Sequence, residues 1–259
     1  MARQRRHSRT RRRGGRFGGL YKMLSILLVV AAVIMACVVF FRVNTVEVTG
    51  NLRYTTEEII EASGIQTGDN LIILSGSRVS SAIRARLPYV EGVAIRKTLP
   101  DGVSIKVTER VAAASVESAE GRWLISAQGK LLEKDNGSVR TVQIEGLTAV
   151  GPYAGGMVQT AEEESLTLEY VKELLGVLEG QGMLESCTQL DCTAAASMTL
   201  HYGVYRLKLP RDGSYDYHIQ LAQAALSEGL KSGVIQEGQS GLLDLTVMDG
   251  KAHWRPDRQ

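Results

Sequence analysis

The sequence predicts an α+β protein that is attached to a membrane by a single N-terminal transmembrane helix. Three observations favour this class: residues 23–41 form an uncharged apolar run, residues 43–108 follow a β-α-α-β-β pattern, and the remainder combines many strands with two amphipathic helices. We expect five segments: a basic cytoplasmic tail (residues 1–22), the transmembrane helix (23–41), a small β-α-α-β-β domain (42–111), a mixed β domain with two flanking helices (112–256) and a C-terminal end (257–259).

The composition narrows the class of protein. Of the 259 residues, 44% are hydrophobic, and Pro (5) and Cys (3) are scarce, which excludes a disordered chain, a collagen-like repeat and a disulfide scaffold. The net charge of +2 conceals an uneven distribution. Residues 1–22 hold nine of the 30 basic residues and no acidic one, which leaves 21 basic against 28 acidic residues, a balance of −7, in the rest of the chain. The two parts therefore face different environments.

The apolar run has the length and uniformity of a membrane span. Its 19 residues include no charged side chain and one clearly polar residue, Ser25. As a helix with a rise of about 1.5 Å per residue, the run covers roughly 28 Å, close to the thickness of the hydrocarbon core of a bilayer. A buried core helix is the alternative, but such a helix usually has a polar face. No A-x-A cleavage motif follows, so we expect a retained anchor and not a signal peptide.

The basic tail predicts the orientation of this anchor. The excess of Arg precedes the span and only Arg42 follows it closely, which places the N-terminus in the cytoplasm and residues 42–259 outside. A run of Arg is also typical of nucleic-acid binding. Because this tail is short and abuts the span, orientation and attraction to anionic headgroups account for it, and we expect no nucleic-acid partner.

The residues after the span begin a small α+β domain. Residues 43–49 alternate as a strand does and are followed by a Gly-Asn turn. Thr55 and Glu58 have the spacing of a capping box, which predicts the start of a first helix. Gly64 is expected to end that helix.

A second helix and two strands complete this domain. The second helix is predicted over residues 77–87 and ends at Pro88. The strands are predicted over residues 93–97 and 103–108. We expect Gly102 to supply the positive φ that closes the turn between them.

These features, in this order and directly after an N-terminal anchor, resemble a POTRA domain of the type found in the FtsQ/DivIB family of bacterial cell-division proteins. The resemblance depends on the motifs Val46-x-Val48-x-Gly50-Asn51, Thr55-x-x-Glu58-Ile59, Gly64-Ile65 with Gly68-Asp69-Asn70-Leu71, Leu87-Pro88-Tyr89-Val90, Leu99-Pro100-Asp101-Gly102 and Val107-x-Glu109-Arg110. It implies a POTRA-like domain over residues 42–111 and an FtsQ/DivIB-type β domain over residues 112–256.

The second half of the chain extends the resemblance. Residues 121–126 and 129–132 predict a hairpin similar to the start of the family's β domain, and Thr160 begins a second capping-box pattern. Further strands are expected near residues 184–190, 198–201, 204–209 and 242–247. Two helices are expected to bury apolar stripes, formed by Leu166, Tyr170, Val171, Leu174 and Leu178 on the first and by Ile219, Ala222, Leu226 and Leu230 on the second.

No arrangement of residues points to catalysis or to a cofactor. The sequence has no G-x-S-x-G, P-loop or G-x-G-x-x-G motif and no H-E-x-x-H zinc motif. Cys187 and Cys192 are five residues apart, so we expect two free thiols, although a bend in the chain would permit a disulfide. Residues 162–164 are three Glu, which helix capping and solvation explain. We therefore expect no enzyme, and no catalytic, cofactor-binding or metal-binding residue.

The resemblance implies a role in cell division. Members of the family are single-pass scaffolds of the divisome, which link early and late division proteins and regulate septal peptidoglycan synthesis by protein–protein contacts. The implied partners at the division septum are FtsB/DivIC-type and FtsL-type bitopic coiled-coil proteins, with the FtsW and FtsI synthase pair reached indirectly. The alternative is an extracytoplasmic POTRA-type module that binds or transports polypeptides, although such machines contain arrays of POTRA domains and this chain has one.

The last predicted strand is the expected partner-binding site. Residues 242–248 alternate apolar and polar side chains, so one row can enter the core while an unpaired edge offers N–H and C=O groups to a partner. The resemblance implies that an FtsB-type partner adds a strand near this edge. Carried over to this sequence, the contact falls on Thr246, Val247, Met248, Asp249, Gly250 and Trp254. The alternative is that Trp254 only packs over the last strand.

Overall fold

The chain forms an exposed N-terminal helix, a three-stranded sheet and a nine-stranded sheet. The structure is a computed structural model, in which residues 17–247 and 250–257 are described. The basic tail up to Arg16 and two residues of the expected partner site, Met248 and Asp249, lie outside the described residues. The helices are α1 (Phe17–Phe40), α2 (Thr56–Ser63), α3 (Gly76–Arg86), α4 (Ser165–Gly180) and α5 (Tyr215–Lys231). The strands are β1 (Thr45–Thr49), β2 (Val90–Thr98), β3 (Gly102–Glu109), β4 (Ala114–Ser118), β5 (Trp123–Ile125), β6 (Leu131–Lys134), β7 (Val142–Ala149), β8 (Cys187–Asp191), β9 (Ser197–Tyr202), β10 (Tyr205–Pro210), β11 (Gly241–Asp244) and β12 (His253–Pro256).

Helix α1 contains residues 23–40 of the predicted membrane span, which was expected to extend to residue 41. Its segment Gly19–Phe40 has 22 residues, and the apolar window within it is 0% buried by the rest of the protein. A helix of this length is about 33 Å long, which is sufficient to cross the hydrocarbon core of a bilayer. In the part of the chain that the structure describes, it is the one helix that is long and apolar enough to do so. Its exposure removes the alternative of a buried core helix.

Residues 43–110, called the small module below, have the predicted β-α-α-β-β order. The strand order in its sheet is β1-β3-β2, where β1 is parallel and β2 antiparallel to the central strand β3. Both helices pack on this sheet, and the shared core includes Ile59, Leu71, Ile83, Val103 and Ile105. Together with the sheet-rich remainder of the chain, this module confirms the predicted α+β class.

The turn between β2 and β3 differs from the prediction. Gly102 is not among the glycines with a positive φ, and it is the first residue of β3. A Cβ at this position would lie 3.1 Å from the carbonyl oxygen of Thr98 and 3.2 Å from Oγ1 of Thr45. The role predicted for Gly102 is therefore wrong, because the close approach of two neighbouring residues, and not a left-handed φ, favours glycine there.

The capping box predicted at the start of α2 is present. Oγ1 of Thr55 accepts a hydrogen bond from the N–H of Glu58 at 3.2 Å, and the carboxylate of Glu58 accepts one from the N–H of Thr55 at 2.8 Å. Gly64 ends the helix in the left-handed conformation, with φ of +68°. All three residues act within one short segment, as the sequence predicts.

The capping box predicted at Thr160 is wrong. A 3₁₀ turn, Glu162–Glu164, precedes α4, and neither the turn nor the helix has a side-chain cap. The carbonyl of Gln159 accepts a hydrogen bond from the N–H of Val150 at 2.8 Å. This bond ties the residue before Thr160 to the end of β7, so the chain has not yet turned into the helix at the predicted cap.

Replacing Thr55 with Ala is expected to lower the free energy of unfolding of the small module by about 1 kcal/mol, because the cap of α2 is lost. Thr160→Ala is the matched control and is expected to change stability by less than about 0.5 kcal/mol. Hydrogen exchange of the amides in α2 and α4, measured on the full chain in detergent micelles, gives both local stabilities. Equal losses for the two variants would contradict this assignment of caps.

The nine-stranded sheet carries α4 and α5 on one face. Its strand order is β12-β11-β10-β9-β8-β7-β4-β5-β6. Side chains of both helices enter one core with the inward rows of the strands, among them Val171, Leu174, Leu178, Tyr215, Ile219 and Ala222. The first hairpin of this sheet, β5 and β6, is antiparallel as predicted.

Two residues of the predicted helical stripes lie outside this core. Leu166 is 61% exposed and Leu230 is 40% exposed, so the prediction that they point inward is wrong. At 100° per residue, Leu166 lies about 140° around the helix from the buried Val171, whereas Leu168 lies about 60° from it. Leu168 is buried in its place.

The chain ends in two strands where one was predicted. β11 stops at Asp244, whose Oδ1 accepts hydrogen bonds from the N–H and the hydroxyl of Thr246 at 3.0 and 2.6 Å. This local turn takes the chain out of the ladder. β11 is parallel to β10 on one side and antiparallel to β12 on the other. The prediction of an unpaired edge strand over residues 242–248 is therefore wrong, and β12 is the terminal strand.

A polar contact joins the small module to the nine-stranded sheet. Nη2 of Arg53 lies 2.6 Å from Oε1 of Glu133, and the same oxygen accepts a hydrogen bond from the hydroxyl of Tyr89 at 2.8 Å. The guanidinium of Arg53 lies over the Tyr89 ring, 4.1 Å from its centroid. Burial and then the bond to Glu133 raise the pKa of Tyr89, so its hydroxyl stays a neutral donor. The domain boundary at residues 111 and 112 stays a proposal.

Candidate partner-binding edge

The nine-stranded sheet has two terminal strands, and the described residues cover part of one of them, β6. At β6, the N–H of Leu131 donates to the carbonyl of Gly156 and the N–H of Gly155 donates to the carbonyl of Leu131, both at 2.8 Å. Residues 155–158 thus cover the start of that edge. Among residues 17–247 and 250–257, no segment pairs with the outer side of β12 at Trp254. An edge with unpaired backbone groups can take a strand from another chain.

The register of β12 determines which backbone groups point outward. The N–H of Asp257 donates to the carbonyl of Ser240 at 3.1 Å, so these opposite residues form a hydrogen-bonded pair. Hydrogen-bonded and non-hydrogen-bonded pairs alternate along an antiparallel ladder. Two residues earlier, Arg255 is therefore bonded to β11, whereas the pairs of Pro256 and of Trp254, on either side of Arg255, are not. The N–H and C=O of Trp254 consequently point away from β11, toward the free edge.

The indole of Trp254 packs on its own sheet. Its ring centroid lies 5.9 Å from that of Tyr205, with an interplanar angle of 72°. Gly241 makes room for this ring, because a Cβ at that position would lie 2.5 Å from Cη2 of the indole. Nε1 is buried and has no acceptor among the described residues. Trp254 thus holds β12 to the sheet with its side chain and presents its backbone to the edge.

A buried carboxylate lies between two basic side chains beside this edge. Asp244 is 4% exposed, and its Oδ2 lies 3.9 Å from Nζ of Lys208 and from Nη2 of Arg255. Burial alone would raise the pKa of Asp244, but the hydrogen bonds from Thr246 and the two nearby cations outweigh burial, so the pKa lies below its ordinary value. The ionised carboxylate on β11 therefore has a cation from β10 and another from β12 beside it at neutral pH.

The structure separates the residues of the expected partner site. Thr246, Val247 and Gly250 lie in the loop between β11 and β12, Trp254 lies on β12, and Met248 and Asp249 lie outside the described residues. Val247 is 42% exposed in this loop. That these six residues bind a partner stays a prediction.

The sequence pattern does not predict strand β12, or a role for Arg255. The four residues of β12 include a proline and an arginine and show no alternating apolar pattern. The Asp249-Gly250 dipeptide upstream is a strong signal for the turn of a hairpin. If the segments before and after that turn pair with each other, a short antiparallel strand is expected at the end of the chain.

Titratable groups also lie away from this edge, among them three cysteines and His218. The part of the chain that the structure describes has no group of three or more His, Cys, Asp or Glu side chains that could hold a metal ion. Cys187 and Cys192 are buried free thiols, as predicted, and burial raises the pKa of each to about 12. His218 is buried, with Nε2 3.0 Å from a carboxylate oxygen of Asp212.

Comparison with known protein families identifies a likeness in the small module. A family model described as a POTRA domain of the FtsQ type matches residues 41–110. The matched segment includes β1, α2, α3, β2 and β3, which are all the elements of the three-stranded sheet and its two helices.

Similarity to individual proteins continues beyond this module. The chain is 30% identical over 121 residues to the cell division protein FtsQ of Corynebacterium glutamicum, an alignment that covers 47% of this chain and 54% of that protein. It is 26% identical over 165 residues to the cell division protein DivIB of Clostridium acetobutylicum, covering 63% and 64%. It is 25% identical over 209 residues to DivIB of Clostridium tetani, covering 78% of each chain. The chain spans less than two thirds of the first two of these relatives.

Proposed function

We propose that this chain, which belongs to the FtsQ/DivIB family of bacterial cell-division proteins, is a non-enzymatic, single-pass membrane scaffold of the divisome. In this role it links early and late division proteins and regulates septal peptidoglycan synthesis through protein–protein contacts. The N-terminus lies in the cytoplasm, and residues 42–259 lie outside the membrane at the septum. The excess of basic residues before α1 supports this orientation.

The observation that carries the proposal is the outward backbone of Trp254 on the terminal strand β12. A scaffold needs a surface that another chain can recognise, and the outward N–H and C=O of Trp254 offer a template for strand addition. At the opposite edge of the same sheet, residues 155–158 pair with the start of β6. The backbone of Trp254 has no such covering segment among the described residues. The proposed partners are FtsB/DivIC-type and FtsL-type bitopic coiled-coil proteins, through which the chain reaches the FtsW and FtsI pair.

Site-specific crosslinking in dividing cells tests this proposal. A photo-reactive amino acid replaces Arg255, whose side chain is 67% exposed at the free edge. The matched control replaces Lys134, whose side chain is 56% exposed at the end of β6, on the opposite edge of the same sheet. We expect the reactive group at residue 255 to capture a small bitopic coiled-coil division protein and the one at residue 134 to capture none. Depletion of the chain is expected to block septation.

Two results would contradict the proposal. Normal septation after complete depletion would exclude a scaffold role in division. Capture of a membrane β-barrel or of secreted polypeptides at residue 255 would instead favour a module that binds or transports polypeptides.

A further inference from the structure

The membrane end of the small module is fastened to the last turn of α1. The N–H of Leu71 donates to the carbonyl of Phe41 at 2.9 Å, and Nδ2 of Asn70 donates to the carbonyl of Val38 at 3.4 Å. The N–H of Val43 donates to the carbonyl of Asp69 at 2.8 Å. The loop of residues 70–74 therefore begins at the level where the apolar helix ends.

This loop presents two aliphatic side chains to its surroundings. Ile72 is 54% exposed and Ile73 is 77% exposed, whereas Leu71 before them is fully buried in the core of the module. Oδ1 of Asn70 accepts hydrogen bonds from the N–H groups of Ile72 and Ile73, at 2.9 and 3.3 Å. The side chain of Asn70 thus holds the turn, with both isoleucines on its outer side.

A second turn meets the loop at the same end of the module. The carbonyl of Asp101 accepts a hydrogen bond from the N–H of Asn44 at 2.9 Å, so the turn between β2 and β3 lies only a few residues past α1. Leu99 in this turn is 65% exposed. Nζ of Lys97 donates to the carbonyl of Ile72 at 3.0 Å and joins the turn to the loop. We call Ile72, Ile73 and Leu99 the membrane-proximal patch.

We infer that the membrane-proximal patch inserts into the lipid headgroup and acyl boundary of the membrane that α1 crosses. The occupant is lipid because the patch is continuous with the end of the span, where exposed aliphatic side chains meet acyl chains and not bulk water. The ammonium of Lys97 suits anionic headgroups. The carboxylates of Asp69 and Asp101 at this end each accept a hydrogen bond from a protein donor, at 2.9 and 3.2 Å.

Insertion of the patch fixes the tilt of the small module relative to the membrane. A single helix leaves the outer part of a protein free to swing, whereas a second contact beside the helix restricts that motion. The inference rests on the proposed membrane anchor, but it requires neither the division role nor a partner protein.

Depth-dependent fluorescence quenching on the full chain tests this inference. The chain is reconstituted alone in vesicles of phosphatidylcholine and phosphatidylglycerol, with the environment-sensitive label NBD at Ile73→Cys in a Cys37→Ala background. Cys187 and Cys192 are buried and react poorly with the label at neutral pH. The matched control carries the label at Leu52→Cys, which is 93% exposed beyond the far end of β1. A third sample labels the native Cys37 and reports insertion of the span.

We expect lipids with a shallow nitroxide to quench the label at residue 73 at least about threefold more than the label at residue 52, and aqueous iodide to show the reverse. In a chain labelled at Leu99→Cys, replacing Ile72 and Ile73 with Ser is expected to raise iodide quenching severalfold.

The outcomes distinguish failure of the patch to insert from failure of the transmembrane helix to insert. Iodide quenching as strong at residue 73 as at residue 52, with Cys37 protected, would overturn the inference and leave the anchor intact. An aqueous label at Cys37 would overturn both. Protection at residue 73 that appears only after a partner protein is added would replace lipid with protein as the occupant and overturn the inference.

Discussion

Replacing Gly50 with Ala is expected to lower the free energy of unfolding of the small module by about 3 kcal/mol. Gly50 follows β1 with φ of +82°, a conformation that costs L-residues energy. A Cβ there would also overlap the carbonyl oxygen of Val107 on β3. Because β1 and β3 are neighbours in the sheet, the overlap can be relieved only by separating the two strands.

Gly64→Ala is the matched control for this prediction. Gly64 has φ of +68°, but a Cβ there would have no atom within 4 Å, so the expected cost is about 1 kcal/mol from the backbone conformation alone. Hydrogen exchange of the amides in β1 and β3, measured on the full chain in micelles, gives the local free energy of opening. Equal costs at the two glycines would show that the contact with Val107 is not a constraint.

These two glycines also show how much of the small module the sequence predicts. Thr55, Glu58 and Gly64 act on their own helix, so the capping box and the stop signal were read correctly from one segment. The Gly-Asn turn after β1 was predicted in the same way. The contact between Gly50 and Val107 joins residues far apart in the chain, and no local pattern contains it.

The capping pattern at Thr160 failed for the same physical reason. The four residues satisfy the local rule, but the bond between Gln159 and Val150 ties the preceding residue to the end of another strand. A pairing outside the segment therefore decides where α4 begins. Local propensity is a weak prior where such a contact competes with it.

At the candidate partner-binding edge, the alternation of apolar and polar side chains was insufficient to predict which strand is terminal. The pattern over residues 242–247 correctly indicated a strand, but alternation gives the face of each side chain and not the number of neighbouring strands. β11 pairs with β10, although α5 separates these two strands in the sequence, and β12 pairs with the other side of β11. The terminal position of β12 follows from these two pairings, and the outward direction of the Trp254 backbone follows from its register.

Replacing Trp254 with Pro is expected to weaken binding of the strand-adding partner about 100-fold, through loss of the outward N–H and of the packed indole. Proline is tolerated at edge positions whose N–H faces solvent, so β12 is expected to stay paired with β11. Titration of the full chain in nanodiscs with the outer segment of the crosslinked partner measures the affinity.

Two further variants distinguish the contribution of the backbone N–H to binding from that of the indole and from loss of strand pairing. Trp254→Val loses the indole but keeps the N–H, and it is expected to weaken binding about tenfold, so the remaining factor of about ten belongs to the backbone donor. Arg255→Pro removes an N–H that is directed at β11, and it is expected to release β12 and expose the β11 amides to exchange. If Trp254→Pro binds as tightly as Trp254→Val while β12 stays paired, the backbone of the edge does not bind the partner, and the contact must lie on another surface, with the small module as the next candidate.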